Sequence, residues 1–205
     1  MLALFNIQNW LESGGLALLG AIVFAESGLL VGFFLPGDSL LFIAGFLSSS
    51  AGSNVLPALP FVALVTMVCA IAGDQAGYWF GRHVGPALFD RPKSRVFNPA
   101  NVEKAHGFLE KYGAKTIVLA RFVPVVRTFA PIVAGVGKMK YRTFVLYNII
   151  GGVIWGGGIT TLGYFLGEVN FVKENIEVAS LAIVAISIAP IAFEFIRHRR
   201  TAHQK

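Results

Sequence analysis

The first 81 residues contain neither lysine nor arginine, and all 17 basic residues of the 205-residue chain lie at or beyond Arg82. Charge is scarce throughout: 14% of residues are charged, against roughly 25% in soluble domains. Cysteine is nearly absent. The single Cys69 excludes an intrachain disulfide, and its apolar surroundings make it a small membrane-buried side chain. The constellations of common enzymes are missing as well. There is no P-loop, so no nucleotide drives this chain, and no GxSxG nucleophile motif. The histidines His83, His106, His198 and His203 lack metal-ligand spacing and lie in polar sequence. The sequence therefore predicts neither an enzyme nor a metal or cofactor protein. No basic n-region and no small-residue cleavage pattern precede the first apolar run, so a cleaved signal peptide is not expected.

What the chain has in abundance is apolar sequence: 55% of residues are hydrophobic. The net charge of +6 is not spread as on a nucleic-acid-binding surface, and nucleic acid is not an expected partner. The cations sit in loops beside apolar runs, the placement of an integral membrane protein whose cytoplasmic loops collect lysine and arginine.

Residues 1–13 suggest a short amphipathic helix at the interface, anchored by Trp10. Residues 61–80, 143–167 and 178–196 can each cross a bilayer, which takes about 20 apolar residues. Two other segments, 20–47 and 116–137, are broken by proline (Pro36-Gly37-Asp38, then Pro124 and Pro131) and have short flanks. They read as re-entrant helical hairpins, which are tolerated at depth only when buried in protein or lining a wet cavity. The alternative for the first is a plain crossing over 16–35, with Pro36 opening a loop. Residues 81–115, with seven Lys or Arg, form the expected cytoplasmic loop, and a helix is predicted over 101–112. The basic tail, 197–205, falls on the same side, and the weakly acidic 168–177 loop on the other. If 116–137 crossed once, the basic tail would lie outside and violate the charge rule.

The chain also echoes itself. Gly77-Tyr78-Trp79-Phe80-Gly81-Arg82 resembles Gly163-Tyr164-Phe165-Leu166-Gly167-Glu168, and Leu41-Phe42-Ile43-Ala44-Gly45 resembles Pro131-Ile132-Val133-Ala134-Gly135. The predicted fold is an all-α integral membrane domain. It is an inverted repeat of re-entrant hairpin plus transmembrane helix, followed by an extra C-terminal transmembrane helix, a plan used by transporters. Shared glycine–aromatic packing habits are the competing explanation of the match.

Four charged residues fall inside the two hairpins: Glu26 and Asp38 in the first, Arg121 and Arg127 in the second. A charge at the bilayer centre costs roughly 2.5–3.5 kcal/mol on insertion scales, so such residues pair or serve transport. Guanidinium groups match phosphate oxygens with a planar fork and stay charged. On a straight helix a spacing of six places two side chains about 120° apart; Pro124 between them can bend the backbone so that both converge. Glu26 and Asp38 would lie about 18 Å apart on a straight helix, a distance a turn at Pro36-Gly37 can change. A carboxylate in a low-dielectric cavity can carry a proton. The four residues thus read either as a proton site coupled to an anion site or as structural salt bridges. Asp38 could instead cap a helix over 39–47, and Asp74 could pair with Arg82 or serve polar packing.

These stretches together resemble the DedA family of membrane proteins, also described as SNARE-associated or VTT-domain proteins. The resemblance rests on Phe34-Leu35-Pro36-Gly37-Asp38, on Gly73-Asp74-Gln75-Ala76-Gly77-Tyr78-Trp79-Phe80-Gly81-Arg82, and on Lys111-Tyr112-Gly113 through Arg121-Phe122-Val123-Pro124-Val125-Val126-Arg127 to Ala134-Gly135. It implies a bacterial inner-membrane protein with two opposed hairpins. It further implies return of undecaprenyl phosphate, the carrier lipid of cell-wall synthesis, from the outer to the inner leaflet, with links to proton-motive force and envelope homeostasis. The family's acidic pair corresponds to Glu26 and Asp38 and its arginine pair to Arg121 and Arg127. A nonspecific phospholipid scramblase and a non-transporting membrane-homeostasis protein remain the alternatives.

Overall fold

The computed structural model describes residues 2–28, 37–52, 54–89 and 113–169, together with 175 and 178. Among them every regular element is helical. The helix expected over 101–112, nearly all of the span expected over 178–196, and the basic tail lie outside the described residues.

α1 (Leu2–Gly28) is two helices joined at Gly15, whose φ of 56° and ψ of −150° suit a residue without Cβ. α2 (Gly37–Leu47) is buried along its whole length. α3 (Leu59–Phe89) continues past the expected end at residue 80. No proline interrupts it before Pro86, and Gly81 and Gly85 are used in helix packing. The expected second hairpin is α4 (Lys115–Ala120) and α5 (Pro124–Val136), separated at residues 121–123. Pro124 opens α5, where its missing N–H costs nothing. α6 (Tyr141–Gly152), a π-turn (Val153–Gly157) and α7 (Gly158–Gly167) make one continuous rod.

The helical stretches Leu59–Gly85 and Tyr141–Gly167 are each 27 residues long, about 40 Å at 1.5 Å per residue. That exceeds the roughly 30 Å hydrocarbon thickness of a bilayer. Only a third of their most apolar windows is buried inside the protein. Phe61, Leu64, Val68, Leu146, Ile154 and Phe165 point outward, as lipid-facing side chains do.

The two halves exchange partners. α2 packs along α7, and α5 packs along α3. Glycines set both contacts. A Cβ at Gly163 would stand 2.8 Å from the carbonyl carbon of Phe42, and one at Gly167 would meet the Phe46 ring. Likewise a Cβ at Gly81 would stand 2.9 Å from the carbonyl carbon of Ile132, and one at Gly85 would stand 2.6 Å from a Val136 methyl. Both pairs therefore run parallel with the same spacing. α1 runs parallel to α3, with Gly20 near Cys69 and Gly28 against Gly73. α3 runs antiparallel to the α6–α7 rod, with Ile71 near Gly152 and Thr66 near Thr160. α1 and α2 consequently run in opposite senses.

This packing equates Gly81 with Gly163, one helical turn from the register in which Gly77 matches Gly163. Glycines four residues apart lie on one helix face, so a match one turn out is nearly as good. The hairpin match, Gly45 with Gly135, is retained: a Cβ at Gly45 would stand 2.9 Å from the carbonyl carbon of Thr160, and one at Gly135 2.8 Å from the amide nitrogen of Arg82. The loops that follow α2 and α5 are each tied to the helix they pack on. Ser50 Oγ donates to Glu168 at the end of α7 at 2.7 Å. Tyr78 Oη donates to the Met139 carbonyl at 2.6 Å, and Arg82 Nη1 donates to Tyr78 Oη at 2.9 Å.

Candidate functional site

Five charged residues, Glu26, Asp38, Asp74, Arg121 and Arg127, are buried, none more than 9% exposed. They form two groups beside the indole of Trp155. In the first, Arg127, in the opening turn of α5, bridges the two halves. Its Nη2 is paired with Glu26 Oε1 near the end of α1, and its Nη1 donates to Asp38 Oδ1 at 2.8 Å. The amide of Gly37 donates to the same Glu26 oxygen at 3.0 Å. Only glycine permits that approach, because a Cβ at Gly37 would overlap the Glu26 carboxylate. Glu26 Oε2 is left with no partner among the described residues.

Asp38 Oδ1 accepts a second bond, from Trp155 Nε1 at 2.8 Å. The helix begins at Gly37, two residues earlier than a cap at Asp38 requires, so Asp38 lies inside the first turn of α2 with its carboxylate committed across the structure. α2 and α5 both start at this point. The positive ends of both helix dipoles favour negative charge there, and the Gly37 amide already donates to Glu26.

The second group centres on Arg121, which closes α4. Its Nη2 is paired with Asp74 of α3 and donates to Asn148 Oδ1 at 2.6 Å and to the Ala70 carbonyl at 3.3 Å. Asn148 Nδ2 in turn donates to the Ile71 carbonyl at 3.0 Å. Gly151 makes room for the arginine, since a Cβ there would stand 2.9 Å from its Cδ. The expected pairing of Asp74 with Arg82 does not occur. Asp74 sits on the inner face of α3 beside Arg121, whereas exposed Arg82 turns to Tyr78 and the Met139 carbonyl.

Trp155 lies between the two groups. The guanidinium carbon of Arg127 is 4.9 Å from its ring centroid and that of Arg121 is 5.9 Å away, both within cation–π range. The two arginines thus reach one aromatic ring while each keeps its own carboxylates. Trp155 and Asn148 were not among the residues the sequence singled out. The available signals were a lone asparagine in an apolar run and a tryptophan flanked by five glycines, Gly151, Gly152 and Gly156 to Gly158. Among the described residues no three His, Cys, Asp or Glu side chains gather as a metal site.

Both guanidinium groups already face carboxylates through their Nη nitrogens, so an anion reaches those donors by exchange, while Arg121 Nε has no partner among the described residues. Asp38, Asp74, Arg121, Arg127 and Trp155 fall inside the segment, residues 35–165, that matches the VTT domain, and Glu26 lies just before it. Over 186 residues the chain is 46% identical to Protein DedA of Escherichia coli strain K12, covering 91% of this chain and 84% of that protein. Over 188 residues it is 50% identical to an uncharacterized membrane protein of Mycobacterium tuberculosis strain H37Rv, covering 89% and 81%. A second mycobacterial membrane protein, from Mycobacterium bovis, is 35% identical over 187 residues, covering 89% of this chain and 83% of its own length. No solved structure matches. The buried charge pairs and outward apolar faces are those of a membrane protein, and the chain belongs to the VTT-domain, or DedA, family.

Proposed function

We propose that this protein carries a lipid phosphate, undecaprenyl phosphate foremost, from the outer to the inner leaflet of the bacterial inner membrane, coupled to protons. The supporting observation is the position of Arg127, held at the junction of α1, α2 and α5 by two carboxylates. An incoming phosphate offers the guanidinium the same planar two-point recognition that the carboxylates now provide. With every group ionised, Glu26, Asp38 and Arg127 carry one negative charge in excess, and adding a dianionic phosphate would repel it. Protons on the carboxylates remove that conflict, and the unpartnered Glu26 Oε2 is the atom to receive the first.

On this reading α1–α2 and α4–α5 are re-entrant hairpins, with both ends of each on one side of the bilayer and the C-terminus cytoplasmic. Phosphate enters from outside with protons, occupies Arg127 with Arg121 behind it, and leaves inward as the carboxylates ionise and recapture the guanidinium. The polyprenyl tail stays in the bilayer, along apolar faces such as Phe122, Val126 and Phe129, which are exposed beside Arg127.

The test is flux. Purified protein is placed in liposomes carrying undecaprenyl phosphate in both leaflets, and phosphate accessibility is followed with and without a proton gradient. Arginine-dependent movement that responds to the gradient is the expected result. Equal movement of zwitterionic lipids without a gradient would favour a nonspecific scramblase. The internal pairing of both arginines supports a second reading, a non-transporting structural role; static lipid in the presence of well-folded protein would leave that one standing.

A further inference from the structure

Trp155 is one of the largest fully buried side chains described, at 2% exposure, and it sits on a π-turn. Such turns are rare and recur at functional sites, because the extra residue re-aims a side chain. This one is braced by two threonine hydroxyls. The Gly156 carbonyl accepts the hydroxyl of Thr160 at 2.7 Å and that of Thr66, from α3, at 3.3 Å. A Cβ at Gly156 would stand 3.2 Å from the Met67 amide nitrogen, so α3 lies directly against the turn. The rod is thereby fixed with the Trp155 indole directed at Asp38.

Asp38 Oδ1 then has two donors of different kinds, Arg127 Nη1 from α5 and Trp155 Nε1 from the rod, each at 2.8 Å. An anion exchanging onto Arg127 removes the first donor. If the indole were absent, the carboxylate could follow the guanidinium and go on competing for it. With the indole present, Asp38 keeps a bond anchored on a different element. The ring face, 4.9 Å from the guanidinium carbon, meanwhile offers the released cation a surface that does not compete for its N–H donors.

We propose that Trp155 is a positioning residue: it retains Asp38 in place when Arg127 leaves it for a phosphate monoester carried by an apolar chain. The proposal rests on the reading of Arg127 as an anion ligand. It assigns the separation of the ion pair to the rod rather than to either hairpin.

The full chain in detergent is titrated with farnesyl phosphate, and with farnesol as the uncharged control, by calorimetry. Trp155→Phe keeps a ring and loses the N–H. It is expected to weaken farnesyl phosphate binding about tenfold in the wild-type background and less than twofold in an Asp38→Asn background, since coupled residues give non-additive losses. In a Trp10→Phe/Trp79→Phe protein, where Trp155 is the remaining tryptophan, its emission is expected to shift with farnesyl phosphate and not with farnesol. This arm holds even if the Asp38 variant does not fold. Binding without an emission change, or an equal loss from Trp155→Phe in both backgrounds, would overturn the positioning role and leave the anion site intact. No binding by the wild-type protein would overturn the anion site and this role with it.

Discussion

Arg121 and Asp74 form a buried ion pair that ties the residue closing α4 to the middle of α3. A buried pair is costly to break from one side, because the surviving charge is stranded; removing one partner typically costs about 3–5 kcal/mol. Asp74→Leu should therefore lower the thermal unfolding midpoint in detergent sharply. The double variant Asp74→Leu/Arg121→Met, which leaves no unpaired charge, should recover most of that loss. Recovery of stability without recovery of flux would assign Arg121 a transport role beyond its pairing.

The swapped contacts between the halves depend on glycine at two equivalent places. Gly45→Ala would push a methyl group into the Thr160 main chain, and Gly135→Ala would push one into the main chain of α3. Neither neighbour is a flexible side-chain tip, so each substitution should cost about 1–3 kcal/mol as overpacking. Gly158→Ala is the control. Nothing lies within 4 Å of its missing Cβ, and alanine should stabilise the helix there by up to about 1 kcal/mol. Unfolding of the three variants in one detergent checks the ordering.

Much of this was legible in the sequence because it is written as one-dimensional pattern. Apolar length located α3 and the α6–α7 rod, proline located the break before α5, and charge in apolar context located Glu26, Asp38, Arg121 and Arg127. Partner choice was not legible. Asp74 lies eight residues from Arg82 along one helix and 47 residues from Arg121 in sequence, yet the direction it faces across α3 decides the matter. Trp155 was hidden for a related reason: a π-turn alters which way a side chain points without any distinctive residue beyond glycine. The register of the repeat slipped by a turn because small residues at every fourth position carry no unique phase.

Tyr78 tests whether the loop ties matter as the packing does. Its ring stacks on Phe144 with centroids 4.4 Å apart, and its hydroxyl joins Arg82 to the Met139 carbonyl. Tyr78→Phe keeps the stack and loses two hydrogen bonds, for an expected cost of about 1–2 kcal/mol. Tyr78→Ala also empties a fully buried site and should cost roughly 3–5 kcal/mol, as large-to-small changes of aromatic residues do. Chemical denaturation of both variants separates the hydroxyl from the ring.

Arg127→Lys is the sharpest test of the site itself. Lysine keeps the positive charge and can neutralise one of the two carboxylates, so the protein should still fold. It offers a single ammonium on a flexible stem, where arginine spans Glu26 and Asp38 with two separate nitrogens. Charge alone therefore cannot reproduce the geometry. Flux of undecaprenyl phosphate in liposomes should fall by about tenfold or more, the scale of losing one hydrogen bond to a charged group, about 1.5–3 kcal/mol. Glu26→Gln should behave differently. It removes a charge that competes for Arg127 and a proton-accepting oxygen, so phosphate binding should persist while the response of flux to a proton gradient disappears. Equal flux from wild type and Arg127→Lys would show that a positive charge is all the site requires, and the two-point recognition by Arg127 would then have to be abandoned.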